Sequence, residues 1–419
     1  MERNDPRYQA YVEILKEELI PAMGCTEPIA LAYAAAKARE VLGVLPDSVQ
    51  LQVSGSIIKN VKSVIVPNTG HLKGMEAAVA AGIIAGSAEK ELEVISEVSE
   101  EKKSAIRDYL QTVPITIEHT EQGHVFDIVV TERCGQDYAR VRIADYHTNI
   151  CRIEKNGTVL YEVPLLDETV QEDARADRSL LNMQDIWDFA ETADLRDVAD
   201  LLERQIRYNN AIAEEGLLGD YGANIGRVLL TTYGNDVSNR AKAKAAAGSD
   251  ARMNGCELPV IINSGSGNQG ITCSVPLIEY AKELHSGKEK LYRALIISNL
   301  VAIHEKTGIG TLSAYCGAVS AGAGAGAGIV YLCGDGYQAA IHTVVNALAI
   351  VSGIVCDGAK ASCAAKIASS VDAALLGYNM YKCNQEFKGG DGIVMKDIET
   401  TIKGIGRLGK DGMRQTNEE

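Results

Sequence analysis

Apolar positions recur at helical spacing from the start of the chain. Tyr8, Tyr11, Val12, Leu15 and Leu19 share one face, and Pro21 ends that helix. The GCTEP stretch (24–28) follows and opens an alanine-rich helix, with Thr26 as its expected N-cap and Pro28 in its first turn. From Ser48 the period shortens to two. SVQLQVSGSI alternates like a strand, and SVIVPNTG reads as a second strand ending in a turn. Residues 74–88 predict a small-residue helix and residues 89–103 a charged one. Strand-like segments then fall at 115–119, 125–131 and 140–144. ICRIEKNGTVLYEV (150–163) predicts a hairpin turning at Asn156-Gly157, the pair that a type I′ turn favours.

After an acidic connector (167–178) nearly every segment has helical period. Helices are predicted at 185–190, 195–211, 224–230, 237–247, 269–284, 291–305, 312–331, 337–351 and 361–376. The fold class is therefore an α+β N-terminal domain (1–166) followed by a predominantly α-helical catalytic domain (167–419). AGAGAGAG (321–328) is low in complexity, but the apolar IVYL after it marks a close-packed buried helix rather than a linker. The apolar runs 317–333 and 339–355 read as buried core helices. As a membrane hairpin they are short, they lack basic flanks, and His342 and Asn346 interrupt the second.

Composition narrows the partners. The 419 residues carry a formal net charge of −15 with no basic run, which argues against nucleic acid or an anionic membrane. The polar N-terminus is not a signal peptide, so a cytoplasmic protein is expected. In that compartment the ten cysteines are expected to be reduced rather than paired. The sequence leaves homodimerisation open.

Three stretches bear chemistry. SGSGNQG (264–270) fits G-x-G-x-x-G, but no alternating strand–helix rhythm follows, so dinucleotide binding is not supported. A glycine-rich loop opening a helix is still an anion site suited to a carboxylate; the alternative is a tight interhelical turn. Cys25 precedes a helix whose dipole favours thiolate, as nucleophile or base; the alternative is an inert packed cysteine. Cys316, Cys356 and Cys363 lie at adjoining predicted helix ends. They lack the tight pairs zinc prefers, and three thiolates suit a [4Fe–4S] cluster with one open iron; the alternative is three core cysteines. His71 and His304 sit in turn-like contexts, and His342 reads as a core residue.

Together GCTEP, KNVKSVIVPNTG (59–70), NSGSGNQG (263–270), LSAYCG (312–317) and CDGAKASC (356–363) resemble the L-cysteine desulfidase family, relatives of the iron–sulfur L-serine dehydratases, in order along nearly the whole chain. The resemblance implies a [4Fe–4S] enzyme converting L-cysteine to pyruvate, ammonia and sulfide without pyridoxal phosphate. It implies Cys316, Cys356 and Cys363 as cluster ligands and Cys25 as the base. It places Ser264, Gly265, Ser266, Asn268 and Gln269 in the active site. Thr26 and Glu27 of GCTEP are expected beside the substrate, and Asn68 and Thr69 are expected to help hold its carboxylate. Gly358 is expected to let the backbone approach the cluster, and Lys360 either steers the carboxylate or is solvated. The related dehydratases carry a serine- and histidine-rich motif where GCTEP stands, which favours the desulfidase branch. The rivals are a serine dehydratase, a pyridoxal-phosphate lyase using Lys360 or Lys306, and a non-catalytic iron–sulfur sensor.

Overall fold

A computed structural model describes residues 1–120, 124–165, 175–310 and 312–418. The boundary expected near residue 166, and the connector as far as residue 174, lie outside the described residues. The first half contains α1 (Pro6–Glu18), β1 (Pro21–Met23), α2 (Thr26–Leu42), β2 (Ser48–Val53), α3 (Gly55–Val61), α4 (Met75–Ala85) and α5 (Glu100–Thr112). It continues with β3 (Ile115–His119), β4 (Asp127–Cys134), β5 (Asp137–Ala144), β6 (Ile150–Lys155) and β7 (Thr158–Glu162).

The six longer strands form one sheet in the order β3-β2-β4-β5-β6-β7, with β2 and β3 parallel and the other neighbours antiparallel. Strand alternation decides which face is covered. Val49, Leu51 and Val53 of β2 and Val141 and Ile143 of β5 are buried, and α2 packs on β4 and β5. The polar residues between them, such as Gln50, Gln52 and Arg142, take the other face. The β6–β7 hairpin turns at Asn156 and Gly157, both with positive φ, as the type I′ reading requires.

Three local expectations differ. The strand from Ser48 stops at Val53, and the next residues form α3. SVIVPNTG makes only an isolated bridge, Ile65 to Lys73, because its chain reverses: the Thr69 hydroxyl donates to the Val66 carbonyl at 2.7 Å and accepts from the Leu72 N–H at 3.2 Å. The charged run 89–103 is broken into a short 3-10 turn (Ala88–Glu93) and the start of α5, which Ser99 caps.

The second half contains α6 (Met183–Thr192), α7 (Ala199–Leu218), α8 (Ile225–Tyr233), α9 (Val237–Met253), β8 (Pro259–Ile261), α10 (Gly267–Glu283) and α11 (Lys288–Ile309). After these come α12 (Gly317–Cys333), α13 (Tyr337–Val351), α14 (Ser362–Lys382) and α15 (Ile398–Arg407). Among the described residues no helix is long and apolar enough to cross a membrane. The apolar run 317–333 is instead the centre of the bundle, enclosed by α10, α11, α13 and α14. Its glycines explain how so many neighbours fit. A Cβ on Gly324 would stand 2.4 Å from the Ser298 carbonyl oxygen, one on Gly322 2.8 Å from the Ser370 backbone, and one on Gly328 2.5 Å from Leu277.

Two of the contacts between the halves set where the first motif lies. On α1, the rings of Tyr8 and Tyr11 stand edge-on to Phe189 of α6, at 5.1 and 5.4 Å between centroids. The short strand β1 pairs antiparallel with β8, Pro21 opposite Ile261 and Met23 opposite Pro259. That pairing brings the end of β1, and so GCTEP, alongside the strand that leads into SGSGNQG.

The α12 packing generates a stability test. Gly324→Ala is expected to destabilise by about 1–3 kcal/mol through overpacking. Gly404→Ala on α15, where a Cβ meets only Met395 at 3.8 Å, should be neutral or stabilising by up to ~1 kcal/mol. Urea-unfolding midpoints of the two variants compare them, and equal midpoints would contradict the close-packing account.

Candidate functional site

Cys25 caps α2, and Thr26 opens it, one residue on from the expected cap. The cap uses no side-chain bond to the backbone. Instead the Cys25 thiol donates to Glu27 Oε2 at 2.9 Å. Glu27 also accepts from the Thr26 hydroxyl at 3.2 Å and, through Oε1, from the Asn60 amide of α3 at 3.0 Å. Thr26 reaches the other half as well, with its hydroxyl 3.0 Å from the Gly265 carbonyl. GCTEP and SGSGNQG are therefore in direct contact.

The electrostatics of this corner differ from the helix-dipole expectation. Burial and the Glu27 carboxylate push the Cys25 thiol well up, more than Arg252 and the helix start draw it down. For Glu27, burial pushes the carboxyl up, but His147, the Cys25 bond and Arg252 outweigh it and hold it below the usual range. The shared proton thus rests on sulfur, and the carboxylate is the ionised partner.

These groups line one cavity of about 120 Å³, roughly ten times the space that one water needs by the same measure. Into it project Cys25, Thr26 and Glu27 from the start of α2, with Lys59 and Asn60 from α3. His147 enters from the turn after β5, and Arg252 from the last turn of α9. Ser264, Gly265, Ser266, Asn268 and Gln269 surround the start of α10. Lys306, Tyr315, Cys316, Cys356, Gly358 and Cys363 complete the wall. Asn68 and Thr69 are not part of the lining. Asn68 donates to the Ile95 carbonyl at 2.8 Å and Thr69 bonds within its own turn, so both shape the loop after α3.

Backbone pairing joins the segments of two of the three cysteines. Tyr315 bridges Val355, the Cys316 N–H donates to Ile354 at 3.1 Å, and the Cys356 N–H donates to Ala314 at 2.6 Å. This short antiparallel contact sets Cys316, the N-cap of α12, beside Cys356. Cys363 stands in the first turn of α14, its thiol 3.7 Å from the Gly358 carbonyl. None of the three is in a disulfide. Burial and the neighbouring Cys356 push the Cys316 thiol up to about 12, and burial raises Cys363 as well. Three thiolates can therefore coexist here only with positive charge beside them.

Such charge surrounds them. Lys59 and Lys306 lie within electrostatic reach of Cys356, Lys366 of Cys316 and Cys363, and Arg252 of Cys363. Among the described residues no three His, Cys, Asp or Glu side chains stand close enough to grip a single metal ion. A four-iron cluster spreads its thiolates wider than one ion does. The donor set, three free cysteines with Lys59, Lys306, Lys366 and Arg252 near them, fits a thiolate-held cluster.

Other expectations resolve residue by residue. Gly358 does serve a close approach, but toward the first half of the chain: a Cβ there would stand 2.5 Å from the Lys59 carbonyl oxygen. Lys360 is 40% exposed and lies 3.4 Å from Asp357, the solvated alternative. His71 and His304 are outside the lining, and His304 pairs with Glu399 at 2.9 Å. His342 pairs with Glu386 at 2.6 Å and stacks on Tyr381. Lys306 is in the wall, its ammonium drawn down to about 8 by burial and donating to the Gly310 carbonyl at 2.6 Å.

Sequence reasoning missed His147, Asn60 and Arg252. His147 sits edge-on to Phe126 at 4.7 Å with its Nε2 unpartnered, and burial, more than Glu27 offsets, draws the imidazole below its usual range. Nothing in its turn-like surroundings distinguished it. Asn60 lay inside a quoted motif without a role. Arg252 left one faint signal, a cation on the alanine-rich helix 237–253 where small residues predict burial.

Comparison with known proteins assigns the chain a family. The family description "serine dehydratase alpha chain" matches residues 89–419. A UPF0597 protein of Desulfitobacterium hafniense is 61% identical over 419 residues, covering 100% of this chain and 97% of that one. Those of Treponema denticola and Clostridium perfringens are 47% and 38% identical, over 100% and 98% of this chain and 98% and 96% of theirs. The chain belongs to the serine dehydratase alpha chain family.

Proposed function

We propose that the protein is a carbon–sulfur lyase of the L-cysteine desulfidase type. It eliminates sulfide from L-cysteine to leave pyruvate and ammonia. The observation that carries the reading is a single cavity lined both by Cys316, Cys356 and Cys363 and by the Cys25–Glu27 pair. The three cysteines would hold a [4Fe–4S] cluster, which when bound supplies a Lewis acid for the sulfur leaving group.

The chain's own residues supply the rest. The start of α10, with Ser264, Gly265, Ser266, Asn268 and Gln269, receives the α-carboxylate, because the first N–H groups of a helix have no partner within it. Glu27 supplies the carboxylate of the cavity, linked to the Gly265 carbonyl through the Thr26 hydroxyl, and orients the α-amino group. Cys25 Sγ and Glu27 Oε2 share one proton. Moving it to Oε2 frees Sγ to take the α-proton, so the pair together acts as the base. The enamine that leaves hydrolyses in water without further help from the protein. A second reading, an L-serine dehydratase working through the same site, rests on the family description itself.

Anaerobically purified protein should release sulfide and pyruvate together from L-cysteine, with kcat/KM above that for pyruvate from L-serine. A clear preference for serine moves the protein to the dehydratase reading. Cys25→Ser should keep its iron and brown colour while losing roughly 10²–10⁴-fold in turnover, the usual worth of a general base. Cys316→Ser should lose both iron and activity. A colourless, iron-free Cys25→Ser protein would make Cys25 a ligand.

Glu27→Gln should slow turnover and also ease ionisation of Cys25. The carboxylate raises that thiol, so removing its charge moves the thiol half-titration to lower pH. Alkylation of Cys25 against pH, followed by mass spectrometry, reads the shift; an unmoved or upward midpoint contradicts the pairing.

A further inference from the structure

Arg252 is 3% exposed, yet no carboxylate pairs with it among the described residues. One of its terminal nitrogens, Nη1, donates to Asn268 Oδ1 at 3.1 Å and stands 3.9 Å from the Met253 sulfur. Its Nε has no partner at all. Burial draws the guanidinium down, but arginine stays protonated. Glu27 lies within electrostatic reach of it, but makes no ion pair with it, and a buried cation held this loosely gains from an anion that binds it directly.

Space for that anion exists. Arg252 lines the cavity, and the residue facing its Nε is Gly267, where a Cβ would stand 2.3 Å from Nε. Gly267 is also the first residue of α10, whose N-cap Ser266 makes no side-chain cap bond. The N–H groups of that first turn therefore remain open beside the guanidinium. A helix start and a guanidinium Nε without a partner converge on one place.

We infer that Arg252 is the binding residue for the substrate α-carboxylate, and that the site selects amino acids bearing a free carboxylate over their amides and esters. The inference rests on the amino-acid reading of the cavity and assigns its anion-binding group. Asn268 is a positioning residue, holding Nη1 so that the Nε edge faces the start of α10. Gly267 is glycine because a Cβ there would collide with the guanidinium itself, 2.3 Å from Nε and 2.8 Å from its carbon.

The test needs no turnover. L-Alanine and L-alaninamide share an amino group and lack a β leaving group, and only the first carries the carboxylate. Calorimetry on the wild-type protein should give L-alanine an advantage of roughly 10- to 100-fold, as a hydrogen bond to a charged group is worth. Arg252→Gln should bring the two ligands to parity. Gly267→Ala should weaken L-alanine alone, although the charge is kept. Wild-type protein that binds both ligands equally, or neither, overturns the assignment, whether or not the variants fold. So does Arg252→Gln protein that keeps the full preference. Because no sulfide is measured, a failure here leaves the desulfidase reading standing, and a protein that selects the carboxylate yet releases no sulfide fails that reading alone.

Discussion

The approach of helix to helix around α12 is the constraint on which the second half rests. Helix backbones meet this closely only where no side chain intervenes, and Gly322, Gly324 and Gly328 clear the contacts with α14, α11 and α10. A helix gripped on several sides has little freedom to slide or rotate. Its first cap residue is Cys316, so the grip on α12 fixes where that thiol stands. Cys356 and Cys363 are tied to the same frame, one through the bridge beside Tyr315 and the other through α14, which itself packs on α12.

The second constraint is the junction of the two halves. β1 pairs with β8, Thr26 reaches Gly265, and the backbone at Gly358 lies against Lys59. Each contact brings a residue of the first half to a segment that carries cluster-ligand or anion-binding candidates in the second. The cavity exists only because both halves contribute. Its charges come from both: Glu27 and Lys59 from the first half, Arg252 and Lys306 from the second. That mixture of signs suits a zwitterion, and burial makes it effective because little water screens it.

Much of this was legible in the sequence. The change of period near Ser48 separated strands from helices, the Asn156-Gly157 turn was readable from residue type, and most helices of the second half lie where the apolar spacing put them. The glycine–alanine run marked a close-packed helix before any neighbour was known. Local errors fell where a short-range bond overrode the pattern, as in SVIVPNTG, whose threonine closes a turn that alternation alone reads as a strand.

The chain's own residue order thus settles the element types and the segments that carry thiols and glycine-rich loops, since periodicity and turn chemistry are local properties. Tertiary structure alone decides the protonation at Cys25. A helix start favours thiolate by local rules, but burial beside Glu27, itself held ionised by groups from other segments, reverses the direction. It also decides that Arg252 and His147 reach the cavity and that Asn68 and Thr69 do not. Those outcomes depend on which side chains lose water together, and desolvation is set by neighbours brought from distant parts of the chain.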